Sequence, residues 1–277
     1  MKKRILTDTH IKNYAALLRR EEHAPATIEK YIHDARAFLT WLHNREVSKE
    51  TSAQWKKDLL AQGLTPATVN ARLSAINGLL HFLGWDDCRV RLLRLQRPTF
   101  RDASRDLTRE EYSRLLAAAS GPVKLLLQTI CATGIRVSEV RYMTVEAARA
   151  GRTNIALKGK IRTILLPGKL CRKLLRFAKK QKIASGEIFR TKDGKPLSRQ
   201  RIWQLMKALC ENAGVQSSKV FPHNLRHLFA TTFYRATRDI VKLADVLGHS
   251  SIDTTRVYLL TTGAEHIRQL EQLRLVN

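Results

Sequence analysis

Apolar residues recur every three or four positions through much of this chain, which is the spacing of amphipathic helices. The period is clear over residues 11–18, 28–42 and 69–83. Thr65 followed by Pro66 is a typical helix start, with a capping side chain and then proline in the first turn. The pattern lapses in a polar stretch around Pro98 and resumes at 109–119 and 123–131. We therefore expect a helical domain over residues 1–95, a linker over 96–106 and a second domain over 107–277.

The second domain contains one segment of a different kind. In residues 153–167, two runs of β-branched and aliphatic residues flank Lys158-Gly159-Lys160, which predicts a β-hairpin. Further along, Ser198 is a candidate N-cap for another helix. The expected fold class is mainly α with a small antiparallel β-sheet.

The charge of the chain indicates a polyanionic partner. Fifty Lys and Arg residues against 24 Asp and Glu give a net charge of +26 over 277 residues. The excess is present in both predicted domains, so it is not a basic tail on a neutral protein. Lys and Arg gain affinity for nucleic acid by releasing the counterions condensed on its phosphates.

The cysteines and the apolar runs further limit the classes of protein to which this chain could belong. Cys88, Cys131, Cys171 and Cys210 lie far apart and form no CxxC or Cys/His cluster, which argues against a zinc site and against a disulfide framework. No apolar run reaches the length of a membrane span or of a signal peptide. We expect a soluble, cytoplasmic protein with buried, reduced thiols and no membrane association.

Three segments carry residues suited to phosphoryl chemistry. ATGIRVSEV (132–140) contains Arg136, HNLRHLFAT (223–231) contains His223 and Arg226, and LGHSSIDTTRVYLL (247–260) contains His249 and Tyr258. Arginine and histidine bind phosphate oxygens, and a tyrosine phenol can attack phosphorus. Each residue alone also has an ordinary interpretation, such as an Arg136–Glu139 ion pair or a Tyr258 side chain packed in the core.

The last segment allows two structural interpretations. A helix over 239–247 ends at Gly248, Ser250 is placed to cap, and a second helix is expected from 252 to 260. This arrangement resembles a helix-turn-helix that reads the major groove of DNA. Alternatively, the turn presents His249, and Tyr258 projects from the second helix toward the same centre.

Taken together, TGIRVSE, HNLRHLFAT and LGHSSIDTTRVY resemble the signature segments of the tyrosine recombinases, the phage integrase family. The resemblance covers residues 105–277, and the N-terminal helices are similar to the family's core-binding domain in size and pattern. It implies a site-specific DNA recombinase or integrase, of the kind found in mobile elements. Such an enzyme cuts and rejoins DNA through a 3′-phosphotyrosine and uses no metal, ATP or other cofactor.

The resemblance also implies a role for each matching residue. Arg136 and Arg226 would bind the non-bridging oxygens of the scissile phosphate, and His249 would donate a further hydrogen bond to them. His223 would accept or hold the proton of the nucleophile, Tyr258.

Two further positions complete the implied site. The family's general acid is a lysine on a β-hairpin turn, for which Lys158 matches best and Lys160 is the alternative. Glu139 matches an acidic position that orients active-site groups.

The partners implied are double-stranded DNA at specific recombination sites, a homotetramer on DNA joined through the C-terminal helix, and accessory DNA-bending or directionality proteins. Two alternative functions remain open on the sequence. A type IB topoisomerase would share the chemistry without pairing two sites, and a helix-turn-helix regulator would bind DNA without cutting it.

Overall fold

Helices account for most of the secondary structure in the computed structural model, which describes residues 3–95, 103–157, 160–191, 193–258 and 263–273. The chain divides into two compact units, Met1–Arg97 and Pro98–Asn277. The predicted linker lies largely outside the described residues, since 96–102 fall in a gap. Of its remaining residues, Ala103–Arg105 form a short 3-10 helix.

The N-terminal unit contains helices α1 (Asp8–Arg20), α2 (Pro25–Leu42), α3 (Lys49–Ala61) and α4 (Pro66–Phe82), followed by a 3-10 helix (Asp86–Cys88). Three of the α-helices begin at residues whose hydroxyls accept a backbone N–H of the first turn, namely Thr7, Ser48 and Thr65. The expected start of a helix at Thr65-Pro66 is confirmed.

The core of this unit is built around Phe38, which is fully buried on α2. Its ring lies 4.8 Å from the ring of Trp55 and is stacked on Trp41 with centroids 6.0 Å apart. Leu73 and Leu79 on α4 are equally buried. The α2 and α4 faces meet there because their apolar residues follow the helical period.

The C-terminal unit is larger and contains one hairpin among its described residues. Its α-helices are α5 (Arg109–Ala118), α6 (Gly121–Thr133), α7 (Val145–Ala150), α8 (Gly168–Lys180), α9 (Arg199–Lys207), α10 (Cys210–Ala213), α11 (Pro222–Thr237), α12 (Ile240–Leu247), α13 (Ile252–Arg256) and α14 (Gly263–Gln272). A 3-10 helix, Val137–Tyr142, follows α6. Helix α6 packs against α11, and α12 packs against both α11 and α13.

The hairpin pairs β1 (Arg152–Leu157) with β2 (Lys160–Leu165) in antiparallel register, with Ile155 opposite Arg162. Successive β2 side chains point to opposite faces, so Ile161 and Leu165 are exposed whereas Ile164 is buried. The predicted fold class, mainly α with a small antiparallel sheet, is confirmed.

Two local expectations are wrong. The cap of α13 is Ser251 rather than Ser250, because the Ser251 hydroxyl accepts the backbone N–H of Asp253 at 3.2 Å. The helix expected over 252–260 ends at Arg256, and Tyr258 lies in the turn after it, where its N–H bonds to the carbonyl of Thr255. Burial of the Tyr258 ring against α12 accompanies this turn.

The four cysteines are free thiols, of which Cys88, Cys171 and Cys210 are buried and Cys131 is only partly buried. Among the described residues, no helix is both long enough and apolar enough to cross a membrane.

We expect Phe38→Ala to lower the free energy of unfolding by about 3–5 kcal/mol, because it removes a ring packed between two indoles and leaves a cavity. Urea unfolding followed by tryptophan fluorescence reports on this unit, since Trp41, Trp55 and Trp85 lie in it. Leu60→Ala is the control, at a position 39% exposed. Equal midpoints for the two variants would contradict the assignment of Phe38 to the core.

Candidate active site

Arg226 lies at the centre of the candidate site. Proline at the start of α11 fixes the first turn of the helix, and Arg226 follows in the next turn with only 2% of its surface exposed. One guanidinium nitrogen donates to the carbonyl of Gly134, and the other donates to the carbonyl of Leu247 at 2.8 Å. These acceptors are at the C-terminal ends of α6 and α12, so one buried cation connects three helices.

The end of α6 requires glycine. Gly134 has φ of 63°, a left-handed conformation that suits a helix C-cap. A Cβ at this position would lie 2.4 Å from the ring of Phe229 on α11. The absent side chain therefore lets α6 end close enough to α11 for the Gly134 carbonyl to reach Arg226.

His249 is presented by the turn between α12 and α13. Gly248 ends α12 with φ of 63°, and the ring of His249 then lies with Nε2 2.9 Å from Arg226 and Nδ1 2.9 Å from the Thr255 hydroxyl. Because a guanidinium only donates, Nε2 must accept, and the ring proton is on Nδ1, where it is donated to Thr255.

The charges around the two histidines favour their neutral forms. Burial lowers the pKa of His249 to about 4, and the nearby charges of Arg226, Arg136 and Arg162 act in the same direction. Burial, Arg226 and Arg136 also lower the pKa of His223. Both rings are therefore available as proton or hydrogen-bond acceptors at neutral pH.

Tyr258 is buried among these groups, with 5% of its surface exposed. Its ring is parallel to that of His249, with centroids 6.1 Å apart, and meets the ring of His227 edge-on at 4.9 Å. The Tyr258 phenol lies close enough to the Arg226 guanidinium to interact with it electrostatically. The phenol is thus beside the guanidinium that we expect to bind a phosphate.

Arg136 and Glu139 are held together at the start of the 3-10 helix Val137–Tyr142. A carboxylate oxygen of Glu139 accepts from the Arg136 guanidinium at 3.0 Å, and the other accepts from the Arg136 backbone N–H at 2.7 Å. Glu139 is buried, whereas the Arg136 side chain is 41% exposed. Arg136 is therefore fixed at one end and accessible to an anion at the other.

A third arginine, which the sequence interpretation overlooked, joins this pair from the hairpin. Arg162 on β2 donates to both oxygens of Glu139, at 3.1 and 3.3 Å, and to the carbonyl of Val246 at 2.7 Å. Its side chain is 11% exposed. Alternation along β2 was the available signal, because it places Arg162 on the same face as the buried Ile164.

The structure thus brings together Arg136, Glu139, His223, Arg226, His249 and Tyr258. Lys158 lies outside the described residues. Lys160 begins β2, but its side chain is not among those described. Besides Arg162, the sequence interpretation overlooked His227 and Thr255, which contact Tyr258 and His249 respectively.

The cluster combines an excess of fixed positive charge with one phenol. Arg136, Arg162 and Arg226 face a single described carboxylate, that of Glu139, so an anion is strongly favoured beside them. The neutral imidazole of His249 stacks near the phenol, and that of His223 lies near the same arginines, which suits proton transfer at a tyrosine nucleophile. This is the arrangement that a tyrosine-based phosphoryl transferase requires.

Comparison with known proteins defines the family. The profile of the phage integrase family matches residues 105–264, and that of the phage integrase N-terminal SAM-like domain matches residues 11–87. The chain belongs to the phage integrase family, and it is a site-specific recombinase of the tyrosine type. The resemblance based on the three sequence segments is confirmed.

Individual relatives agree with this assignment along most of the chain. Tyrosine recombinase XerD of Caulobacter vibrioides is 31% identical, with 88% of each chain covered. Tyrosine recombinase XerA of Thermococcus kodakarensis is 28% identical, with 95% of this chain and 94% of the relative covered.

Solved structures share the fold at lower identity. A lambda integrase dimer bound to a COC′ core site matches with a TM-score of 0.74 and 16% identity, covering 94% of this chain and 96% of that one. XerH bound to a palindromic difH substrate matches with a TM-score of 0.71 and 18% identity, covering 94% and 83%.

We expect the His249 ring to titrate near pH 4 in the free protein. Because this folded-state pKa lies below the ordinary 6.5, its contribution to stability is fully present above about pH 6.5 and is lost as the pH falls toward 4. A carbon-edited NMR titration of the histidine rings measures this directly, with His249→Asn assigning the signal. A His249 midpoint near 6.5 would contradict the burial and charge environment described above.

Proposed function

We propose that this site cleaves and rejoins duplex DNA at specific sequences by direct attack of the Tyr258 hydroxyl on a backbone phosphorus. The observation that carries the proposal is the burial of the Tyr258 phenol beside the Arg226 guanidinium and the ring of His249. A phosphate bound by Arg226 would have the nucleophile beside it. This supports nucleophilic catalysis over a packing role for Tyr258.

Arg136 and Arg226 would bind the two non-bridging oxygens of the scissile phosphate. Both guanidinium groups are held in place before DNA arrives, Arg136 by Glu139 and Arg226 by the carbonyls of Gly134 and Leu247. Charge that builds on the phosphate oxygens in the transition state would therefore be stabilised without reorganisation.

His249 is proposed to donate a hydrogen bond to the same oxygens. In the free protein its Nε2 accepts from Arg226, so donation requires that Nε2 take up a proton when the phosphate binds. A bound phosphate favours this because its negative charge offsets the three arginines that lower the His249 pKa.

The cleavage step forms a bond between the Tyr258 oxygen and phosphorus and breaks the bond from phosphorus to the 5′ oxygen. The phenol proton passes to His223, whose lowered pKa leaves it neutral at physiological pH. The leaving 5′ oxygen takes a proton from a lysine of the hairpin turn, Lys158 or its alternative Lys160. The products are a 3′-phosphotyrosine and a free 5′-hydroxyl, and attack by the 5′-hydroxyl of another strand reverses the step.

Glu139 is proposed to orient the arginines rather than to take part in bond making. Its carboxylate is buried, and both oxygens are occupied by hydrogen bonds from Arg136 and Arg162. The function needs no cofactor and no metal, because arginines neutralise the charge that a metal neutralises in many nucleases.

The two alternative functions, a helix-turn-helix regulator and a type IB topoisomerase, require different structural or biochemical properties. A helix-turn-helix reader needs an exposed recognition helix after the turn. Helix α13 has only five residues, and its turn bonds to Arg226 instead, which favours the catalytic role. A type IB topoisomerase would relax supercoiled DNA without producing recombinants, and this distinguishes it in an assay.

We expect Tyr258→Phe to abolish covalent protein–DNA adducts while leaving DNA binding close to that of the wild type, because only the attacking oxygen is lost. Protein expressed in cells is denatured and purified, and the attached DNA is sequenced. Tyr234→Phe is the control, since this phenol packs against the same cluster.

Adducts at discrete sites with wild type and Tyr234→Phe would identify the target sequence. Scattered adducts would favour the topoisomerase. Tight DNA binding without adducts, including on nicked substrates that trap the intermediate, would favour the regulator.

The proposed function also implies the partners, the location and the assembly of the protein. Double-stranded DNA at recombination sites is the partner, consistent with the net charge of +26. We propose a cytoplasmic, DNA-associated enzyme of a mobile element, acting as a homotetramer and with accessory DNA-bending or directionality proteins. Helix α14 supports the assembly, because Ile267 and Leu270 on the helix and Leu273 directly after it are each more than half exposed and form an apolar stripe.

We expect deletion of residues 265–277 to impair assembly and recombination more than DNA binding, because the exposed stripe would pack on a neighbouring subunit. The substitutions Ile267→Ser, Leu270→Ser and Leu273→Ser test the stripe alone, with Glu271→Ser and Gln272→Ser as exposed controls. Recombination should fall at least tenfold, the equivalent of roughly 1.4 kcal/mol in assembly. Equal losses of recombination and of affinity for a single site would contradict the role in assembly.

A further inference from the structure

Arg162 is a charged residue on the inward face of a short strand. Its neighbours on β2, Ile161 and Thr163, point to the other face, and Ile161 is 79% exposed. Arg162 itself is 11% exposed. Burial lowers its pKa to about 10, so the side chain remains charged at neutral pH.

The guanidinium of Arg162 contacts two segments that are far apart in the chain. Toward the 3-10 helix it donates to both carboxylate oxygens of Glu139, the residue that also binds Arg136. Toward α12 it donates to the carbonyl of Val246 at 2.7 Å. Arg162 therefore links Glu139, which holds Arg136, to the last turn of α12, which precedes His249.

The backbone at Gly248 is shaped around the same side chain. A Cβ at Gly248 would lie 2.3 Å from Cδ of Arg162. Gly248 has φ of 63° and directly precedes His249. Glycine at this position thus permits two things: the left-handed backbone conformation that ends α12, and the close approach of the Arg162 side chain.

The fold gains little from a charge at this position. Nε of Arg162 is buried without a hydrogen-bond partner among the described residues, which is unfavourable. Three cations, Arg136, Arg162 and Arg226, also repel one another here. An apolar side chain would fill the inward face of β2 without either cost.

We propose that Arg162 is a positioning residue for strand cleavage, which holds Glu139 and the Val246–Gly248 backbone so that Arg136 and His249 meet the same phosphate. This inference rests on the proposed function of the cluster. The hydrogen bonds of Arg162 go to Glu139 and Val246 rather than to Tyr258 or His223, so its effect passes through the groups it holds. A forked guanidinium is needed because one nitrogen serves Glu139 and the other serves Val246.

The test compares Arg162→Gln and Arg162→Lys with the wild type. Arg152→Gln is the matched control, since it removes a positive charge from an exposed position on the same hairpin. Three quantities are measured on the full chain: the single-turnover rate of covalent adduct formation on a nicked target duplex, the dissociation constant for intact duplex, and the NMR titration of His249.

Arg162→Gln should slow adduct formation by about 100-fold, the cost of a small misplacement in an active site. Its dissociation constant should stay within about twofold of the wild type, because the Arg162 guanidinium is occupied by Glu139 and by the carbonyl of Val246 and contacts no phosphate in the proposed mechanism. Arg162→Lys should restore part of the rate, since one amine keeps the charge but cannot serve both acceptors. Arg152→Gln should cleave at the wild-type rate.

The His249 titration separates positioning from general stability. Charged or titratable groups that act on this ring are Arg226 and His223 on α11, Arg136, Arg162 on β2, and Tyr258 after α13; Glu139 binds both Arg136 and Arg162. Arg162→Gln removes one of the cations and frees Glu139, so the His249 pKa should rise. Arg162→Lys should leave it near the wild-type value.

The outcomes are distinct. Suppose that the wild type forms adducts. If Arg162→Gln then forms them at the same rate, or if the His249 pKa is unchanged in that variant, the positioning role alone is overturned. If Arg162→Gln does not fold, Arg162→Lys decides: a folded lysine variant that cleaves at the wild-type rate overturns the proposal. Absence of wild-type adducts would overturn the proposed function and this inference with it.

Discussion

The buried guanidinium of Arg226 is the interaction on which the C-terminal unit depends. It satisfies the carbonyls at the ends of α6 and α12, which otherwise would be left buried without a donor, and it also contacts His249 and Tyr258. A buried charge is costly unless it is fully hydrogen-bonded. Here the bonds that offset this cost are also the ones that assemble the site, so stability and function are not separable at this residue.

The remaining charges follow from that constraint. Glu139 is the described carboxylate beside three arginines, and it is buried between two of them. One carboxylate holds the arginines in place without neutralising them, which leaves a net positive site for a phosphate. Burial, together with the same excess of positive charge, keeps His249 neutral, with its proton on Nδ1 toward Thr255. A bound phosphate would reverse this balance, so protonation of His249 would be coupled to occupancy.

Helix prediction succeeded where apolar periodicity was strong, and it failed where the period was weak or where tertiary packing set the end of the helix. The period over 69–83 and the Thr65-Pro66 start correspond to α4. Helix α3 is mostly polar and buries only Ser52, Trp55 and Leu59, so the period did not reveal it, although Ser48 and Thr51 form a capping box. The helix expected through residue 260 ends at Arg256, since the turn that follows is set by packing of Tyr258 on α12 rather than by local propensity.

The sequence alone indicated the fold class, the family and six of the groups that the structure brings together, because hydrophobic period and short motifs are local properties of the chain. It also indicated a nucleic-acid partner, since net charge does not depend on fold. The tertiary structure alone decided which groups meet. Alternation along β2 turns Arg162 inward, and His227 and Thr255 lie within the signature segments, but no local pattern shows that the three reach the same site, each from a different element. Contacts between distant elements depend on packing and on the close approach that Gly134 and Gly248 permit, and no periodicity encodes that.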